Sequence, residues 1–125
     1  MENTKKKIMI VEDDSFVMDI YQTKLAQSGF ETIEAGNGLE AVKILEKEKP
    51  DLILLDILMP YIDGMEVLKK IKKEEKFKDT PVILLTNLSQ QEEVNRGLEL
   101  WAKDYLIKSH FTPSEVLDKI NSYLK

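Results

Sequence analysis

Leu52-Ile53-Leu54-Leu55-Asp56, continued by Ile57-Leu58-Met59-Pro60, decides how the rest of the chain is read. A short unbroken apolar run is the pattern of a strand covered on both faces, as in the middle of a parallel sheet. An ionised carboxylate is among the most costly groups to bury unpaired. Asp56 nevertheless stands directly at the end of that run. In open α/β sheets the carboxyl ends of the strands are where ligands bind. Glu12 and Asp13 follow a second apolar run, Ile8 to Val11, and the three acids are expected to meet.

Outward from that stretch, strand and helix patterns alternate. After Asp14 the apolar period becomes helical, with Val17, Ile20, Tyr21 and Leu25 on one face and Gly29 as the stop. Glu31 to Glu34 alternates polar with apolar, as a more exposed strand does. Asn37 with Glu40 opens a helix carrying Ala41, Val42 and Leu45. Beyond the central strand, Asp63 with Glu66 opens a third helix, with Leu68 and Ile71 inward. Lys69, Lys70, Lys72 and Lys73 form its solvated face rather than a phosphate site. Val82 to Leu85 is a fourth strand ending at Thr86, and Ser89 with Glu92 starts a helix bearing Val94, Leu98 and Trp101. Tyr105 to Ile107 is a fifth strand ended by Lys108, and Thr112-Pro113-Ser114-Glu115 combines cap, first-position proline and third-position acid before the last helix.

Five strands alternating with five helices through short connections predict βαβ units with right-handed crossovers. The fold class is therefore α/β, a doubly wound five-stranded parallel sheet. The 125 residues suit one domain, 1–125, large enough to bury roughly two-thirds of its unfolded surface. The net charge of −5 argues against direct binding of nucleic acid, which needs a basic face. The chain has no cysteine, which excludes disulfides and thiolate metal sites. No apolar stretch approaches the roughly 20 residues of a membrane span or the core of a signal peptide, so a cytoplasmic protein is expected.

In such a sheet all strand ends point to one edge. They bring together Glu12, Asp13, Asp56, Thr86 and Lys108. Crowded carboxylates repel and call for a cation; hard oxygen donors suit Mg²⁺, which keeps several waters and takes one or two protein carboxylates directly. Lysine offers a point charge and threonine a small donor, so the set describes a phosphoryl site beside a metal, with an aspartate as nucleophile. Taken singly, Glu12, Asp13 and Asp14 read as solvated or capping acids, Asp56 and Thr86 as turn residues, and Lys108 as exposed. Asp14 stays a cap or solvated acid, while the joint arrival of the other five at strand ends favours the functional reading.

With these residues in place the chain resembles the receiver domain of two-component response regulators, close to the single-domain chemotaxis type. The matching pieces are Ile10-Val11-Glu12-Asp13-Asp14, Leu54 to Pro60, Asp63-Gly64, Leu85-Thr86 and Asp104-Tyr105-Leu106-Ile107-Lys108. The resemblance implies a flavodoxin-like fold with strand order 2-1-3-4-5, and the 125 residues leave no room for an effector domain, so a stand-alone receiver is expected. It implies that Asp56 accepts a phosphoryl group from a sensor histidine kinase or phosphotransfer protein. It further implies Mg²⁺ held by Asp13 and Asp56, by Glu12 through water and by the backbone carbonyl of Leu58. Lys108 and Thr86 would bind the phosphoryl oxygens, and Thr86 with Tyr105 would act as the switch that remodels the face presented to a downstream protein target. Such a domain is not an enzyme beyond Mg²⁺-dependent self-phosphorylation from small donors and self-dephosphorylation.

The sequence departs from the family pattern in three places. Proline usually follows the lysine, with a cis bond; Ser109 stands here, and a cis bond before a non-proline residue costs about 3 kcal/mol, which leaves the reach of Lys108 open. Trp101 replaces a common glycine, and Leu58 and Leu88 are apolar two residues beyond Asp56 and Thr86. Both leucines are expected to hinder water and slow dephosphorylation. His110, the single histidine, reads as a loop residue.

Three other readings compete. A phosphohydrolase of the haloacid-dehalogenase type wants a second acid two residues after the nucleophile, where Leu58 stands. A nucleotide or flavin binder wants a phosphate loop after its first strand, where Glu12-Asp13-Asp14 would repel phosphate. A receiver-like scaffold that binds partners without phosphorylation is the alternative that Ser109 keeps open.

Overall fold

The computed structural model describes residues 5–57, 64–86, 95, 102–108 and 112–124. In chain order they form β1 (Lys7–Val11), α1 (Ser15–Gln27), β2 (Glu31–Ala35), α2 (Gly38–Leu45), β3 (Leu52–Asp56), α3 (Gly64–Lys73), a 3₁₀ turn (Glu75–Phe77), β4 (Val82–Thr86), β5 (Asp104–Ile107) and α4 (Pro113–Leu124). The strands make one parallel sheet in the order β2-β1-β3-β4-β5, as expected. Of the helix expected from Ser89 through Trp101 only residue 95, which is helical, is described, so the described residues form four α-helices where five were read.

The two-residue period of the strands divides the core. Met9, Val11, Ile53, Leu55, Val82 and Leu84 face α2 and α3, whereas Ile8, Ile10, Leu52, Leu54, Ile83, Leu85 and Leu106 face α1 and α4. All five residues of β3 are buried, which bears out the unbroken apolar run as a central strand.

Helix ends follow the local chemistry of their residues. Asp14 Oδ1 caps α1 by accepting from the amides of Phe16 and Val17 at 2.9 and 3.2 Å. Gly29 takes φ +93°, the left-handed conformation that glycine adopts without a Cβ penalty. Asn37 Oδ1 accepts from the Glu40 amide at 2.9 Å, while the Glu40 carboxylate reaches one residue further back, to the Gly36 amide. Thr112 and Glu115 form the reciprocal capping box: each amide donates to the other side chain, at 2.8 and 3.2 Å. The Asp63 cap lies outside the described residues.

Three details differ from the periodicity. In α1 the buried residues are Met18, Tyr21 and Leu25, while Ile20 is exposed and Val17 packs only at the margin. The inward stripe is therefore turned by a fraction of a turn from the expected one, and Ile20 joins exposed Phe16 on the outer side. Phe77, in the 3₁₀ turn, closes the α2–α3 side of the core. Lys72 leaves the solvated lysine face: its ammonium donates to the carbonyls of Phe77, Lys78 and Thr80 at 3.2, 3.4 and 2.7 Å. Among the described residues, no helix is long and apolar enough to cross a membrane.

Candidate functional site

The same two-residue period that sorts the core also assembles the site. Glu12 continues the Ile8, Ile10 series, Asp56 the Leu52, Leu54 series, and Lys108 follows Leu106, so all three extend the α1–α4 side past the strand ends. β1 and β3 are direct neighbours, with Val11 opposite Leu55, which brings the first two acids together. Glu12 is 2% exposed and Asp56 4%, so Glu12 is not a solvated acid, and Asp56, the last residue of β3, is not a turn residue. Asp13, next along the turn into α1, is exposed.

Glu12, Asp13 and Asp56 each offer a carboxylate oxygen within 4.8 Å of the others. Lys108 stands across from them, with Nζ 2.9 Å from Glu12 Oε1 and 3.1 Å from Asp56 Oδ2. The Lys108–Ser109 bond lies outside the described residues, but the lysine does reach both acids. Glu12 is further fixed by accepting from the Asp14 amide at 3.2 Å, through Oε2, and by donating its own amide to the Ala35 carbonyl at 3.1 Å. The residue that caps α1 thus also orients a carboxylate of the cluster.

The electrostatics follow from burial. Loss of water around Asp56 and the nearby Glu12 charge push its carboxyl up to about 7, against the pull of Lys108. Burial by itself would lower the Lys108 ammonium, but Glu12 and Asp56 outweigh it and hold the group above its ordinary value. Tyr21, in the core on the α1–α4 side, is raised by burial. A carboxylate cluster that retains a proton near neutrality is short of positive charge. The donors present, three carboxylates with one exposed toward solvent, fit a small hard divalent cation.

The structure places the remaining expected residues as follows. Thr86 ends β4, its backbone opposite Ile107 and one strand over from Asp56, which pairs with Leu85. Tyr105 is half-buried and packs against the α2–α3 side of the core. Its amide donates to Asp104 Oδ1 at 2.8 Å, while Asp104 Oδ2 accepts from Tyr123 at 2.6 Å and pairs with Lys119 at 3.1 Å. These donors outweigh burial and hold the Asp104 carboxyl below its ordinary value. Leu58, Leu88, Trp101, Ser109 and His110 lie outside the described residues.

Comparison with known proteins agrees with this fold. The sequence pattern of the response regulator receiver domain matches residues 8–121. A probable transcriptional regulator, ycf27, of Porphyra purpurea is 42% identical over the whole chain, which covers 50% of that protein. The alkaline phosphatase synthesis transcriptional regulatory protein PhoP of Bacillus subtilis is 38% identical over 96% of the chain and 49% of its own length. The chain thus spans about half the length of these curated relatives. Among solved structures, the chemotaxis response regulator CheY4 of Vibrio cholerae superposes with a TM-score of 0.90 at 28% identity, covering 97% of this chain and 100% of that one. The Francisella response regulator 1452 receiver domain gives 0.86 at 32% identity, covering 96% and 97%. With a match over nearly its full length, the chain belongs to the response regulator receiver domain family of two-component signalling.

Proposed function

We propose that this receiver accepts a phosphoryl group on Asp56, from a phosphohistidine on a sensor kinase or phosphotransfer protein, and thereby changes which protein it binds. The observation that carries the reading is the buried Asp56 carboxylate at a strand end, with Lys108 at 3.1 Å and two further carboxylates within 4.8 Å. Asp13 and Asp56 would hold Mg²⁺ directly, Glu12 would act through water, and the backbone carbonyl of Leu58 would complete the protein ligands. The ion, when bound, supplies the positive charge that keeps Asp56 ionised and screens incoming phosphoryl oxygens.

The protein's own groups do the rest. Asp56 Oδ forms the new bond to phosphorus as the donor's N–P bond breaks. Lys108 exchanges its Asp56 contact for a phosphoryl oxygen, and the Thr86 hydroxyl donates to another. Tyr105 and the β5–α4 surface register the change, biasing an element between two arrangements. The role is that of a cytoplasmic signalling domain rather than a turnover enzyme, and its direct partners are proteins rather than nucleic acid. Transcriptional control, named for the relatives, would be exerted through the rest of such a protein or through a separate target.

Incubation with Mg²⁺ and acetyl phosphate, followed by intact-mass measurement, tests this. A single phosphate adduct absent from Asp56→Asn is expected. No adduct, together with no spectral response to beryllofluoride, would instead favour a phosphorylation-independent scaffold.

A further inference from the structure

We infer that Gly64 is a positioning residue for Asp56: the missing side chain at the first residue of α3 lets the chain close against the Asp56 peptide and hold the acid in register with its cluster. This inference rests on the phosphoacceptor reading above. A Cβ built at Gly64 would overlap the Asp56 carbonyl oxygen and come within 2.8 Å of Ile57 Cα and 3.1 Å of the Asp56 carbonyl carbon. All three obstacles are backbone atoms, which have no rotamer by which to step aside.

Conformational freedom is not the reason for glycine here. Among the described glycines the left-handed conformation belongs to Gly29, so the backbone at Gly64 is one that any residue adopts. Close approach is the reason. The Gly64 amide donates to the Ile57 carbonyl at 2.8 Å, so the chain that leaves the sheet after Asp56 is back, seven residues after Ile57, against the residue that follows Asp56.

Neither side of the contact is free to retreat. Asp56 is paired with Leu85, and the Ile57 amide donates to the Leu85 carbonyl at 3.2 Å. On the other side Met65 and Leu68 anchor the first turns of α3 in the core. A methyl group at position 64 would thus displace the Asp56 peptide, the helix start, or both, and the Asp56 carboxylate would leave its place near Glu12, Asp13 and Lys108. Misplacing reacting groups by about 1 Å costs on the order of a hundredfold in rate.

The test compares Gly64→Ala with wild type and with Gly29→Ala, which strains a left-handed residue far from the cluster with nothing within 4 Å of the new Cβ. Mg²⁺ affinity is read by calorimetric titration of the folded proteins, and adduct formation with acetyl phosphate by intact mass. Gly64→Ala is expected to weaken Mg²⁺ binding and slow phosphorylation by at least about tenfold. Gly29→Ala is expected to lower the melting temperature but leave both within about twofold of wild type, because strain at a remote turn does not reach the ligands. An unchanged Mg²⁺ affinity in Gly64→Ala, or a loss matched by Gly29→Ala, overturns the inference.

A second measurement needs no variant and stands if Gly64→Ala does not fold. If closure at Gly64 holds Asp56 in its ligating place, Mg²⁺ binding and that closure favour each other, and the coupling is reciprocal. Amide exchange at Gly64 is expected to slow several-fold on Mg²⁺ addition, while the Asp51 amide, which donates to the Lys7 carbonyl at the opposite edge of the sheet, changes little; equal changes at both refute the coupling. Wild type that binds no Mg²⁺ and forms no adduct would instead refute the phosphoacceptor reading itself.

Discussion

Asp56→Asn should make the metal-free protein more stable at pH 8, although it removes an ion pair. The Asp56 carboxyl titrates near 7 in the folded protein, against an ordinary value of 3.8, chiefly because of burial and then Glu12. Between those values the folded state holds a proton that the unfolded state has released. The contribution of Asp56 to stability therefore falls as pH rises from about 4 to about 7 and is flat above. Each tenfold change in proton affinity is about 1.4 kcal/mol, so the ionised acid costs up to about 4 kcal/mol at pH 8. The attraction of Lys108 is already contained in the folded value, so its loss is not a further charge against the variant. Asparagine does not ionise, and local water entry brings the expected gain to about 2–4 kcal/mol at pH 8, shrinking toward zero near pH 4. Urea denaturation with EDTA at both pH values reads this directly. Mg²⁺ at a hundred times its dissociation constant should return about 2.7 kcal/mol to wild type and narrow the gap. A variant less stable than wild type at pH 8, or a difference that does not change with pH, refutes the electrostatic account.

Two further perturbations probe separate parts of the fold. Lys72→Met removes three donations to the carbonyls of Phe77, Lys78 and Thr80 and should cost about 1–2 kcal/mol, visible as a melting point several degrees lower. Lys69→Met, which breaks only an exposed 3.9 Å pair with Glu66, should be neutral, and equal losses in the two variants would contradict the role given to Lys72. Leu58→Asn should shorten the phosphoryl lifetime severalfold by admitting and orienting water, as followed by loss of the mass adduct over time; an unchanged lifetime would remove Leu58 from the account.

The architecture was legible because its signals are local. The strand runs, the cap at Asn37 and the box at Thr112 and Glu115 depend on neighbours within a few residues, and each appears where the spacing puts it. The cluster was legible at one remove: once the strands are parallel, Glu12, Asp13, Asp56 and Lys108 must share an edge. Other features depend on contacts between distant segments. Whether Met18 or Ile20 faces inward is set by how α1 rolls on the sheet, which its weak periodicity does not specify. Phe77 and Lys72 sit in a charged run whose composition suggests a solvated surface, yet one plugs the core and the other ties down the turn before β4. The depth of Glu12 and the close approach of Gly64 arise only when β1, β3 and α3 are brought together.

The central claim is that the Asp56 carboxylate itself carries the phosphoryl group, and chemical trapping tests it most directly. An acyl phosphate is reduced by borohydride to an alcohol, which marks the modified aspartate in a peptide map. After treatment with Mg²⁺ and acetyl phosphate, the mark is expected at position 56 alone and is expected to vanish when EDTA replaces Mg²⁺. A mark at Asp13 or elsewhere, or none at position 56 in a protein that carries the adduct, would contradict the account.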